Sequence, residues 1–310
     1  MKQIDLGKSG LVASEISLGC MRMRDLSVGE AVKVLRSATE SGINFFDHAD
    51  IYGAGAAEET FGKAVGELGL KREDLLLQTK CGILRNSAWE PATGFNFSKA
   101  HIITALEGSL KRLNTDYVDL LSLHRPDTLM EPEEVAAAFD ALHSAGKVRY
   151  FGVSNQTPGQ MELIQRSTSH KLVANQLQFS LVHTGMVDFG LNANTAKAVE
   201  RDGGILEYCR LKDVSIQAWS PYIYTPTKSV FIDNPDFAEL NAKLAEIAEK
   251  YALTKDAIAT AWILRHPAKM QVIIGSMNPE RITQVAKATN ITLTHQEWYD
   301  LYLAAGNKLP

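Results

Sequence analysis

Val118-Asp119-Leu120-Leu121-Ser122-Leu123-His124 and Tyr150-Phe151-Gly152-Val153-Ser154-Asn155 are short, β-rich apolar runs, and the segment between them opens on Pro132-Glu133-Glu134 and stops at Gly146. Proline fixes the backbone of a first helical turn, and glycine accepts the left-handed conformation that ends one. The stretch reads as strand, helix, strand, and strands joined by a helical crossover lie parallel. Working outward, Ile16-Ser17-Leu18-Gly19-Cys20, Phe45-Phe46-Asp47-His48-Ala49 and Leu75-Leu76-Leu77-Gln78-Thr79-Lys80 come before it. Ala174-Asn175-Gln176-Leu177-Gln178-Phe179, Val214-Ser215-Ile216-Gln217-Ala218-Trp219 and Gln271-Val272-Ile273-Ile274-Gly275 come after it. Helical segments lie between the runs. The first opens on Ser27-Val28-Gly29-Glu30, the spacing of a capping box, and carries Ala31, Leu35 and Ala38 at core positions before Gly42.

Eight such units between residues 16 and 275 match the ~250 residues of a closed (β/α)8 TIM barrel, and that α/β architecture is the predicted fold. The rival is a doubly wound open sheet with a glycine-rich first turn. Here Gly53-Ala54-Gly55-Ala56-Ala57-Glu58 has only two of the three fingerprint glycines and follows the second strand, so the lookalike fails. With no linker, charge block or composition shift, residues 1–310 are expected to form a single domain. Residues 4–12, with Gly7 and Gly10, read as a small hairpin plugging the amino-terminal mouth of the barrel. Residues 86–97 and the stretches after Phe179 and Pro221 are long for barrel loops and are expected to shape the active face.

The composition closes off other classes. The 310 residues carry 32 basic and 36 acidic side chains, a net charge of −4, so no broad basic field favours nucleic acid. Three scattered cysteines, Cys20, Cys81 and Cys209, make no disulfide framework and suit a reducing compartment. No signal-peptide core and no apolar run of ~20 residues appears, so a cytoplasmic protein without membrane contact is expected. The eight histidines show no metal-ligand spacing, and no metal is expected. No dimerisation element is apparent, which leaves a monomer slightly favoured.

Barrel enzymes carry their reacting groups where strands end, at the carboxyl face. The second strand ends in Asp47, with Tyr52 in the loop behind it; the third ends in Lys80 and the fourth in His124. Singly, each has an ordinary reading as a cap, a snorkelling lysine, a packed phenol or a core histidine. Together they deliver a carboxylate, a phenol, an ammonium and an imidazole to one rim. An ammonium beside the phenol favours phenolate, and the carboxylate keeps the ammonium charged and oriented. A histidine beside them can donate to a carbonyl oxygen. The set suits protonation of an oxygen on which negative charge develops as hydride reaches its carbon. None of the four supplies hydride, so a cofactor is implied.

Asp47-His48-Ala49-Asp50-Ile51-Tyr52-Gly53 resembles the Asp-x-Ala-x-x-Tyr-Gly signature of the aldo-keto reductase superfamily, with Lys80 and His124 where that family keeps the rest of its tetrad. His124-Arg125-Pro126-Asp127 and Gly146-Lys147-Val148-Arg149-Tyr150-Phe151-Gly152-Val153-Ser154-Asn155 are similar to its bacterial branch of broadly specific or uncharacterised oxidoreductases. The resemblance implies a (β/α)8 barrel that reduces small-molecule aldehydes or ketones with a nicotinamide cofactor, Tyr52 being the general acid. It implies that Ser154, Asn155 and Gln176 bind the carboxamide and that Trp219 stacks on the nicotinamide. Ser220 and Pro221 fall in the pyrophosphate loop; Gly275, Ser276, Asn278, Arg281 and Gln284 fall in the adenosine motif. Arg281 facing a ribose 2′-phosphate leans the choice to NADP, with NADPH preferred over NADH. The chain departs from many members at Gly275, Gln284 and Val285 and after Pro221, where Tyr222-Ile223-Tyr224 replaces a glycine-rich stretch. Trp89, Phe95 and Tyr222 are expected to wall the substrate pocket.

Two other readings stand beside this one. A Schiff-base aldolase would use Lys80 as its nucleophile. A nucleotide-binding sensor or accessory subunit, with little turnover, would use the cofactor groove alone.

Overall fold

The computed structural model describes residues 1–84 and 93–310. Among them, eight parallel strands close into a barrel in chain order: β1 (Ile16–Gly19), β2 (Phe45–Asp47), β3 (Leu76–Cys81), β4 (Val118–Leu123), β5 (Val148–Ser154), β6 (Leu172–Gln178), β7 (Ser215–Trp219) and β8 (Gln271–Ile274). β8 pairs back onto β1, with Val272 opposite Ile16. All eight expected runs are strands, displaced at their ends by one or two residues. The closed parallel barrel of the sequence reading is the observed fold.

The helices cover the barrel with apolar faces. Helix α1 (Val28–Glu40) buries Ala31, Val34, Leu35 and Ala38, and its capping box is made: Ser27 N–H donates to Glu30 Oε2 at 2.8 Å while Ser27 Oγ accepts from Glu30 N–H. Such a reciprocal cap satisfies orphan donors worth about 1 kcal/mol. The remaining helices used below are α2 (Ala56–Leu68), α3 (Lys99–Leu113), α4 (Pro132–Ser144), α5 (Pro158–Ser167), α6 (Gly185–Leu191), α7 (Ile205–Leu211), α8 (Ala238–Tyr251), α9 (Lys255–Leu264), α10 (Pro279–Ala286) and α11 (His295–Ala304). None of the described helices is long and apolar enough to cross a membrane.

The amino-terminal mouth is plugged by a hairpin of Gln3–Leu6 and Leu11–Ser14. Ile4, Leu6, Leu11 and Ala13 form an apolar cluster with Phe45, Leu120, Val173 and Ala174 from the barrel. Gly7, at φ 62°, lies so close to β6 that a Cβ there would meet Val173 Cα at 2.7 Å. Its N–H donates to Ser215 Oγ at 2.9 Å.

Above this plug the interior turns polar. Gln176 Nε2 donates to Asp47 Oδ1 at 2.9 Å and lies 3.4 Å from Gln217 Oε1; Gln217 Nε2 donates to Gln271 Oε1 at 2.8 Å, and Gln271 Nε2 donates to Ser14 O at 2.8 Å. A line of buried amides thus runs from the rim to the hairpin.

Buried Asp119, early in β4, ties neighbouring segments together. It accepts from Arg72 at 2.8 Å, from Leu77 N–H at 2.9 Å and from Arg149 at 2.9 Å, while the two guanidinium groups lie 3.9 and 4.1 Å from the Tyr117 ring. Removing one partner of a buried ion pair costs about 3–5 kcal/mol. Asp119→Ala should lose stability in that range, read from urea midpoints at unchanged slope; a loss below about 1 kcal/mol would show that the network bears little of the fold.

Candidate active site

The chain turns sharply after β2. Gly53, Ala54 and Gly55 all take positive φ, at 60°, 53° and 92°, before α2 begins. The failed glycine fingerprint therefore has a geometric use: it folds the loop back so that the Tyr52 hydroxyl returns to the barrel mouth. There Lys80 Nζ lies 3.2 Å from the Tyr52 hydroxyl, 2.7 Å from Asp47 Oδ1, 2.9 Å from Asp47 Oδ2 and 2.7 Å from the His48 carbonyl. Both Lys80 and Asp47 are buried. The His124 ring stands edge-on to Tyr52, 5.9 Å between centroids and 83° between planes. Four side chains from three consecutive strands and one loop thus meet at the carboxyl rim.

Burial alone would lower the Lys80 ammonium, but Asp47 and Tyr52 together overcome it and hold it above its usual value. The Tyr52 phenol departs from expectation. Its burial outweighs the pull of Lys80, and Asp47 adds to the burial, so the phenol is raised rather than lowered. It stays protonated at neutral pH, as a proton donor must.

A cleft of about 890 Å³ runs from this rim across the carboxyl face. Tyr52 and His124 line it together with Ser154, Asn155, Gln176, Trp219, Ser220 and Pro221. Gly275, Ser276, Asn278 and Arg281 line it too, at the start of α10. Its size falls within the range of small-molecule and cofactor sites. Asn155, at φ 57°, donates from Nδ2 to Ser154 Oγ at 2.7 Å and accepts from Trp219 Nε1 at 3.2 Å. Ser154 Oγ donates to Gln176 O at 3.0 Å. Amide, hydroxyl and indole are thereby fixed as one polar wall with the Trp219 ring beside it. A carboxamide presents both donors and an acceptor, and this wall offers both, so the residues present fit a nicotinamide. Arg281 is exposed, its Nε 3.6 Å from Asp256 Oδ2, a loose pairing that leaves the guanidinium accessible.

The remaining expected site residues divide. Gln284 does not line the cleft; its Oε1 accepts from Lys287 Nζ at 2.7 Å on the outer side of α10. Tyr222 does line it, but its hydroxyl is bonded to Thr260 Oγ1 of α9 at 2.6 Å and its phenol feels Asp256 and Arg281. The hydroxyl thus faces α9, while the residue keeps its place in the cleft lining. Phe95 pairs across a two-stranded ribbon with Ile83, which lines the cleft, while Phe95 itself does not and is 46% exposed. Trp89 lies outside the described residues.

Four charged lining residues escaped the sequence reading: Arg22, Arg125, Asp233 and Asp256. Arg22 Nη1 donates to Gly275 O at 2.9 Å, joining the loop after β1 to the loop after β8. Arg125 directly follows a catalytic candidate, and that adjacency was the available signal.

The family model described as "Aldo/keto reductase family" matches residues 15–302. This chain belongs to the aldo/keto reductase family. As a member it is a nicotinamide-dependent oxidoreductase. Among its relatives, an uncharacterized oxidoreductase, YcsN of Bacillus subtilis, is 36% identical across 98% of both chains. A 6-dehydroglucose reductase of Agrobacterium fabrum is 34% identical across 96% of both. The crystal structure of a thermostable aldo-keto reductase, Tm1743, solved with the inhibitor epalrestat, matches with a TM-score of 0.77 at 27% identity, covering 98% of this chain and 100% of that one.

His48, beside the tetrad, contributes its carbonyl rather than its ring. The ring is buried with its edge toward Phe61, 4.4 Å between centroids, and makes no hydrogen bond among the described residues. Burial, then the Lys80 charge, pushes it down to about 3. An imidazole lowered from about 6.5 contributes stability that is present above the unfolded value and is lost as pH falls toward the folded one. Relative to His48→Phe, the parent should therefore lose stability between pH 6.5 and 4, by about 3 kcal/mol at pH 4, in urea titrations. Parallel pH profiles for the two proteins would contradict a neutral buried ring.

Proposed function

We propose that this aldo/keto reductase uses NADPH to reduce an aldehyde or ketone to the alcohol, with Tyr52 as general acid. The observation that carries the reading is the Tyr52 hydroxyl set 3.2 Å from a buried, carboxylate-paired ammonium at the floor of a cofactor-sized cleft. When bound, the reduced nicotinamide supplies a hydride to the carbonyl carbon. His124 donates a hydrogen bond to the carbonyl oxygen and holds it beside the phenol. Tyr52 gives its proton to that oxygen as negative charge builds there, and the Lys80 ammonium stabilises the phenolate left behind. Asp47 keeps Lys80 charged, and Gln176 holds Asp47 in place from the other side.

Ser154, Asn155 and Gln176 would hold the carboxamide, with the Trp219 ring against the nicotinamide. Ser276, Asn278 and Arg281 would take the adenosine end, and the accessible Arg281 guanidinium suits a 2′-phosphate. The adenosine role inferred for Gln284 has weaker support, since its amide is engaged with Lys287. The aldolase reading has no comparable support: the Lys80 nitrogen is committed to Asp47, His48 and Tyr52 and held protonated, whereas a Schiff base needs a free amine.

With 4-nitrobenzaldehyde as test substrate, Tyr52→Phe should lower kcat by about 10²-fold or more, while NADPH affinity, measured by quenching of tryptophan fluorescence, changes less than about twofold. Retained turnover would remove Tyr52 as the acid. Nucleotide binding without turnover in the parent would favour the sensor reading. Arg281→Ala should weaken NADPH by about tenfold and NADH far less, in the same titration. Equal losses would remove the 2′-phosphate contact.

A further inference from the structure

Arg125 stands at the Tyr52 end of the cleft, and the proposed reduction does not use it. It follows His124 directly and is half-buried in the cleft lining, and its guanidinium carbon lies 5.6 Å from the centroid of the Trp219 ring. Among the described residues, no carboxylate lies within ion-pair distance of it. The nearest acid in sequence, Asp127, is committed to the backbone: Oδ2 accepts from Phe97 N–H at 3.0 Å and Oδ1 from Leu129 N–H at 2.9 Å. Those two bonds, with Pro126, fix the loop that carries Arg125. Of the other cations of the site, Lys80 is paired with Asp47, Arg22 is bonded to the Gly275 carbonyl, and Arg281 stands beside Asp256.

A guanidinium drawn partly out of water with no counter-charge is costly, and burial works against its charged form here. An aromatic face beneath it repays a part of that cost. A carboxylate arriving with the substrate repays more, through two parallel charge-assisted hydrogen bonds that match the planar guanidinium fork. One cation also suits a singly charged carboxylate better than a phosphate dianion.

We propose that Arg125 is a specificity-determining residue that binds a carboxylate carried by the carbonyl substrate, so that the preferred substrates are oxo acids. For its substrate the inference rests on the reductase reading. For its binding site it does not.

The test compares 4-carboxybenzaldehyde with 4-nitrobenzaldehyde, a neutral molecule of nearly the same shape, in the parent, in Arg125→Gln and in Arg125→Lys. The readout is the ratio of the two kcat/KM values within each protein, which cancels the electronic difference between the aldehydes. Calorimetric titration with terephthalate, which has no aldehyde to reduce, runs beside it. The ratio should fall at least about tenfold in Arg125→Gln, mostly through KM, and recover in part in Arg125→Lys, where the charge remains but the fork is gone. Terephthalate should bind the parent and lose at least about tenfold in affinity in Arg125→Gln. An unchanged ratio in Arg125→Gln, or terephthalate binding that ignores the substitution, would overturn the proposal. If neither aldehyde is turned over with NADPH or NADH while terephthalate binding still depends on Arg125, the reductase reading falls and the carboxylate site stands.

Discussion

The Lys80–Asp47 ion pair is the constraint around which the carboxyl face is arranged. Taking an ammonium and a carboxylate out of water costs several kcal/mol per ion, repaid only where geometry is good and the remaining donors and acceptors are satisfied. Here the ammonium faces both Asp47 oxygens, the His48 carbonyl and the Tyr52 hydroxyl, and Asp47 takes a further hydrogen bond from Gln176. A closed barrel can satisfy that list because β2, β3 and β6 present their inward side chains to a common interior. An open sheet would offer these groups no shared enclosure.

Much of this was legible in the sequence, and the reason is periodicity. Strand runs separated by capped helices announce a parallel sheet, and a count of eight announces closure. The four candidate groups were legible because Asp47, Lys80 and His124 stand where a short apolar run stops, and Tyr52 follows the first of those stops by five residues. The interior amides were not. Gln217 and Gln271 sit in apolar runs, and alternation alone cannot say which face of a strand turns inward when the interior is polar.

Electrostatic sign was equally beyond a one-dimensional reading. The sequence puts Lys80 near Tyr52 and suggests a lowered phenol, but the net direction depends on how much water the fold removes, and burial prevails. Tyr222 illustrates a related limit. Its place after the seventh strand suggested a pocket wall, and it does line the cleft, but its hydroxyl partner, Thr260, is 38 positions away in the chain and could not be read from the run.

The line of amides through the barrel also has a polarity. Gln176, Gln217 and Gln271 each give a proton toward the next acceptor, and the last of these is a carbonyl of the amino-terminal hairpin. The orientation of every amide in the line is therefore set by its two ends, a carboxylate that can only accept and a peptide oxygen that can only accept. Shortening the protein from its first residue would strip the lower terminus and let the glutamines rotate, loosening the acid beneath the lysine from the far side of the molecule. In this architecture the stopper at the foot of the barrel is also an anchor for the chemistry at its mouth.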